Sequence, residues 1–296
     1  MLLKQNLSLY RILKLTWKVD LGMLLLCAVV CYIDINFFPK SQIPFHLPAL
    51  LGTALAFFVA FNNNQAYDRW WEARIIWGGL VNDSRSWTRA LLHYTNDRAC
   101  ARKMIFRHIG FLYALKASLR KVEDFSYRKY LSQEEIEIVD RFSNTPNAIM
   151  DLQAKDLQYL ATEEPRIDGF RFLALNNLLT NFCDGMGKSE RIKNTVFPTT
   201  YVYFTRLFIW ILVTLITLTS SNAIGYAAII IGWLIGFVFH ATHINGMTIM
   251  NPFDLDPSCI PLNSIVRTIE INLLEALEKT DIPAPEKTIR EGEYIL

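Results

Sequence analysis

Charge is what two long stretches of this chain lack. No Asp, Glu, Lys or Arg stands between Lys40 and Asp68, or between Arg206 and Asp254. A helix in water needs a charged or polar face, so these stretches do not read as surface elements of a soluble domain. Cysteine is scarce as well. Cys27, Cys31, Cys100, Cys183 and Cys259 are an odd number without a CxxC pair, which argues against a disulfide framework and a zinc site. No P-loop, GxGxxG, HExxH or GxSxG pattern is present, so nothing recommends an enzyme or a cofactor. The formal net charge is only +2, too near balance for a basic nucleic-acid binder. No small-residue cleavage site follows the first apolar run, so Lys4, Arg11, Lys14 and Lys18 do not read as the start of a cleaved signal peptide.

What is present is apolar. Of 296 residues 52% are hydrophobic, and mean hydropathy is +0.20, a combination that excludes disorder. Four membrane segments can be drawn, at 21–38, 44–61, 207–219 (with Tyr201 to Phe204 as an interfacial lead-in) and 223–239. Each is at or below the roughly 20 residues that a lone spanning helix needs. Their small residues suit helices packed on protein as well as lipid. The chain therefore divides into 1–61 with two spans, a cytoplasmic helical region 62–200, a second pair of spans in 201–250, and a cytoplasmic C-terminal segment 251–296. Of the two connections meant to lie outside, only the first holds a basic residue, Lys40. The flanking segments hold many, with Arg267, Lys279, Lys287 and Arg290 in the last one. The positive-inside rule then places both termini and the middle block in the cytoplasm.

The middle block reads as helical throughout, with helices at 65–96, 98–120, 132–142, 151–162 and 168–186. Trp70, Ile75, Trp77, Leu80, Val81, Trp87, Leu91 and Leu92 fall at helical spacing in the first of these. An amphipathic helix near 263–279 follows a proline-punctuated segment. The fold class is all-α: an integral membrane protein with four spans and a large helical cytoplasmic region. Within the second span Thr53, Phe57 and Phe61 stand at i, i+4 and i+8 and share one stripe. Taken alone, that stripe is an apolar helix packed in a bundle.

The segment FNNNQAYDRWWEARIIWGGLVNDSR, from Phe61 to Arg85 directly after an apolar helix, resembles the bacterial branch of the bestrophin ion channels. SERIKNTVFPTTY at 189–201 is similar to the family's approach to its second membrane hairpin. NPF at 251–253, with the helix IPLNSIVRTIEINLLEAL after it, is similar to its post-membrane segment. The resemblance implies a homopentamer in the bacterial inner membrane, passing small monovalent ions passively through a central pore. Anions such as chloride are the ions the family is known for; a monovalent-cation channel of the same build, or a scaffold without conductance, is the alternative. No nucleic acid and no cofactor is implied.

The resemblance also assigns positions. Thr53, Phe57 and Phe61 match a constricted neck, where rings of phenyl groups hold ions back by dewetting and offer electropositive edges to anions. Thr53 is smaller than the aliphatic usual there, so its ring should be wider and wetter. Asn62, Asn63 and Asn64 match a polar vestibule, and Phe170 a second aperture at the cytoplasmic exit. Asp68, Arg69, Glu72, Arg74 and Arg85 should form structural ion pairs. Asn251 and Asp256 match two positions of the calcium clasp of animal members, but Pro257, Ser258 and Cys259 interrupt the acidic run. A capped turn is the expectation, with no metal bound. His240 and His243 lack an acidic partner nearby and make no metal site.

Overall fold

The computed structural model describes residues 9–38, 43–162, 166–289 and 294–296. The basic residues Lys4, Lys40 and Arg290 lie outside the described residues. Nine α-helices are described: α1 (Leu9–Phe37), α2 (His46–Tyr94), α3 (Arg98–Arg120), α4 (Gln133–Val139), α5 (Thr145–Thr162), α6 (Gly169–Asn194), α7 (Thr199–Ile224), α8 (Ala227–Thr248) and α9 (Leu262–Ala276). A 3-10 turn, Ser126–Tyr130, joins α3 to α4. Among the described residues the only β-type pairing is an isolated bridge between Ile289 and Tyr294.

Four helices are long and apolar enough to cross a membrane: α1 from Ile12, α2, α7 and α8, at 26, 49, 26 and 22 residues. The helices run beyond the short spans drawn from hydropathy. Each span was cut where charged or polar residues begin, at Asp20, Asn62, Arg206 and His240, yet such residues cost little helix propensity and the ladder continues through them. The largest extension is in α2, which runs past Phe61 and Asn62 without a break to Tyr94. The last helix is also shorter than 263–279, ending at Ala276.

The chain forms two compact units. One holds the described residues of Gln5–Arg69 and Val196–Met250. In it α1, α7 and α8 pack on one another around Met23, Cys27, Ile209, Leu212 and Val213, with Leu55 and Val59 of α2 added. Their outer faces are inside-out by the standard of a soluble protein: Leu21, Leu25, Val29, Ile230, Leu234 and Val238 are exposed. The α7–α8 hairpin turns at Gly225, whose φ of 58° is strained for any residue with a Cβ. Asp34, 2% exposed, is satisfied there by the Ser221 hydroxyl and by Asn222 Nδ2 at 3.3 Å.

The other unit holds the described residues of Trp70–Thr195 and Asn251–Leu296. Its centre is α3, opened by an Asp97 cap on the Cys100 N–H at 2.9 Å and buried along most of its length between α5, α6 and α9. Arg107, 1% exposed, sits among Glu135, Asp156 at 2.9 Å and the Leu152 carbonyl at 2.9 Å, so its buried charge is partnered. His108 is fully buried beside Ser84 Oγ at 2.8 Å, and burial pushes its imidazole down to about 3. Tyr113 and Tyr130 both donate to the buried Glu270 carboxylate; burial and that carboxylate raise both phenols.

Candidate functional site

The residues of interest lie on α2, and the helix sorts them by face. Leu55, Val59, Asn62, Ala66, Ala73, Trp77, Leu80, Trp87 and Leu91 are buried, at spacings of three, four or seven residues that keep one stripe turned inward. Thr53, Phe57, Phe61, Asn64 and Asp68 are exposed at the same spacing on another face. Phe57 is 75% exposed and Phe61 47%. Thr53 returns its hydroxyl to the Ala49 carbonyl at 2.9 Å and so presents mainly its methyl group outward. Of the neighbouring aromatics it is Phe58 that turns back onto the chain, 6.4 Å from Phe208 of α7.

The three asparagines separate. Asn62 is 3% exposed and donates to Thr205 Oγ1 at 3.1 Å, so it faces α7 and not the phenylalanine stripe. Asn63 is half-buried and donates to the Thr242 carbonyl of α8 at 3.1 Å. Only Asn64 is exposed, beside Asp68 at 3.4 Å. A helix turns about 100° per residue, so three consecutive side chains cannot share one face.

Phe170 is 88% exposed in the first turn of α6, next to the Asp168 cap on the Arg171 N–H at 2.9 Å. It takes no part in the core of its own unit. Ile75, 58% exposed, also leaves the buried stripe. Three of the charged residues after Asn64 have partners within their own units, Glu72 an opposite charge and Arg85 and Asp68 asparagine amides. Glu72 pairs with Arg191, Arg85 donates to Asn272 Oδ1 at 2.9 and 3.0 Å, and Asp68 is held by Asn64. Trp77 is buried, and Trp70 donates to the Ser258 carbonyl at 3.1 Å.

In the segment after α8 the acidic groups are engaged within the chain. Asp256 caps the Ser258 N–H at 2.8 Å, Asp254 pairs with Lys193 at 2.8 Å, and the Asn251 carbonyl takes the Asp254 N–H at 3.2 Å. Among the described residues no group of three or more His, Cys, Asp or Glu is placed to hold a metal ion.

The sequence reading passed over Asp20 and did not foresee the burial of His240 and His243 in the membrane helices. Asp20 is 5% exposed and accepts from Thr16 Oγ1 at 2.5 Å; His240 and His243 are 6% and 0% exposed. All three stand just beyond the ends of the apolar runs. Continuing the helical period past those runs would have found them.

A family model described as bacterial/fungal bestrophin protein matches residues 10–275. The chain belongs to that bestrophin family. This bestrophin is 28% identical over 249 residues to the voltage-dependent anion channel-forming protein YneE of Salmonella typhi, covering 84% of this chain and 81% of that one. A protein of the same description from Ralstonia nicotianae is 29% identical over 236 residues, covering 78% and 75%. Among solved structures, a bacterial bestrophin homologue from Klebsiella pneumoniae superposes with a TM-score of 0.82 at 23% identity, over 88% of this chain and 97% of that one. The fold is therefore the bestrophin fold: all-helical, with four membrane helices.

Proposed function

We propose that this bestrophin is one subunit of a homopentameric channel that passes small monovalent anions, chloride among them, passively through a central pore. The observation that carries the reading is the apolar stripe of Thr53, Phe57 and Phe61, left exposed on a helix whose opposite face is buried. An exposed apolar stripe of this size calls for lipid, a partner surface or a lumen. The description of the relatives as anion channel-forming proteins favours the lumen. Five copies of α2 about one axis would turn the stripe into stacked rings: Thr53 wide, Phe57 and Phe61 narrow. Such rings gate by dewetting, and phenyl edges turned inward favour an anion over a cation.

Asn64 would offer amide donors at the vestibule below the rings, with Asn62 and Asn63 behind it as supports. Phe170, exposed on α6, would form a second narrow ring at the cytoplasmic exit. The membrane is the bacterial inner membrane, with both termini cytoplasmic.

A second reading, monovalent cations, is favoured by Asp68. It lies on the exposed stripe one turn beyond Asn64, and five carboxylates there would draw cations. Planar-bilayer recordings of the purified protein under asymmetric salt separate the two. A reversal potential near the chloride equilibrium value supports the anion channel; one of opposite sign overturns it in favour of cations. No conductance at all would overturn both.

A further inference from the structure

A polar link between α2 and α8 falls immediately after the phenylalanine stripe. Asn63 Nδ2 donates to the Thr242 carbonyl at 3.1 Å. In the helix ladder that same carbonyl receives the N–H four residues on, from Gly246. A side chain at the i+4 position normally leans back over the carbonyl of residue i, because Cβ bonds tilt toward the helix start. Here that position is a buried glycine. A Cβ built on Gly246 would lie 1.9 Å from Asn63 Oδ1, 2.6 Å from its Cγ and 3.3 Å from its Cα. The asparagine amide occupies the space that a side chain at 246 would fill. The fit is specific: the missing Cβ opens the carbonyl, and the amide both fills the gap and takes the second lone pair.

The placement around α2 gives the contact a consequence. Asn63 is two residues past Phe61, about 200° around the helix from it. A tie on this side faces almost directly away from the phenyl ring. Leu55 and Val59 pack apolar surface in this unit, and the Asn62 bond to Thr205 adds a second directional tie, to α7. Apolar contacts are non-directional and let a helix roll; a hydrogen bond to one carbonyl does not.

We infer that Asn63 and Gly246 form a positioning joint, which fixes the rotation of α2 and thereby holds Phe57 and Phe61 turned toward the pore in the non-conducting state. The inference rests on the reading of those phenylalanines as the constriction. Neither residue of the joint needs to touch a permeating ion.

Single-channel recordings of the full-length protein in planar bilayers test it, with Phe57→Ala as the reference variant. Asn63→Leu keeps the side-chain size but removes the donor. One net hydrogen bond per subunit corresponds to about a fivefold change in an equilibrium constant, so the odds of opening should rise at least about fivefold. Unit conductance should change less than in Phe57→Ala. Gly246→Ala should act in the same direction by displacing the amide. Gly246→Ala combined with Asn63→Ala should open no more readily than Asn63→Ala alone, because both changes abolish the same contact. Unchanged opening in Asn63→Leu, with Phe57→Ala still opening the channel, would overturn the joint and leave the neck standing. So would additive effects in the double variant, which belong to two independent packing defects. If Phe57→Ala also left gating unchanged, the neck reading itself would fall. Should Gly246→Ala not assemble, Asn63→Leu decides alone, since it leaves α8 itself unchanged and fills the same space without a donor.

Discussion

Replacing Phe57 by alanine separates a pore-lining phenylalanine from a packed one. A core Phe→Ala change costs about 3–5 kcal/mol, the sum of lost transfer energy and the cavity left behind. Phe57 is 75% exposed in its own chain, so only about a quarter of that cost, ~1 kcal/mol per subunit, falls on the fold. Leu55, two residues away and 0% exposed, supplies the contrast: Leu55→Ala should cost about 2–5 kcal/mol and impair assembly. In the pore the change acts in the opposite sense. Each phenyl carries about 1.5–3 kcal/mol of apolar transfer energy, and the substitution removes one from every subunit at the same level. A rise in flux of about tenfold needs a barrier lowered by only about 1.4 kcal/mol. We therefore expect Phe57→Ala to assemble at normal size, to conduct at least about tenfold more, and to discriminate less among ions of different size. Gel filtration alongside halide flux into liposomes reads both quantities. A pentamer of normal size with unchanged flux would refute the placement of Phe57 at the constriction. Loss of the pentamer would show that the residue is packing and not lining.

Two further outcomes follow from groups described above. His108 is neutral in the folded protein down to about pH 3, whereas an unfolded histidine takes its proton near 6.5. Between those values the unfolded chain binds the extra proton, so stability should rise with pH through that window and be flat above it. His108→Gln should remove up to about 1.4 kcal/mol per pH unit from the slope of urea unfolding, and an unchanged slope would refute the burial argument. For topology, Ala223→Cys in a Cys183→Ser background should be labelled by an impermeant maleimide on intact cells, and Lys279→Cys only after permeabilisation. The reverse pattern would invert the proposed orientation.

Much of this architecture was legible in the residue pattern, for reasons that particular elements make plain. The missing charges of 207–253 located the second hairpin, and the boundaries read for α3, 98–120, are those of the structure, where Asp97 caps the start and a left-handed Lys121 follows Arg120. Helix ends marked only by polarity were misread. Asn62, Asn63 and Asn64 looked like the end of a span, but two of them find partners on α7 and α8 and the helix passes through. Which asparagine faces where depends on those partners, and partners distant in sequence leave no local trace. The burial of Asp20, His240 and His243 escaped for the same reason: it is decided by helices meeting in space. The exposure of Phe57 and Phe170 could not be read from their neighbours either, since an apolar side chain looks the same facing a core or a lumen. The bestrophin resemblance carried by the Phe61 to Arg85 segment supplied what periodicity could not.

The turn at Gly225 also bears on how the protein reaches its membrane. Lodging one Asp, Lys or Arg at the centre of a spanning helix during insertion costs about 2.5–3.5 kcal/mol. From Leu207 to Phe253 there is none to lodge, either along the two helices or in the connection between them. Gly225 closes that connection within a residue or two, its N–H bonded to the Ser221 carbonyl at 2.8 Å. Helices α7 and α8 can therefore enter the bilayer together as a preformed hairpin, with no charged loop to drag across. A residue with a Cβ at 225 would strain that turn, so its first consequence would be slower biogenesis, ahead of any change in the finished channel.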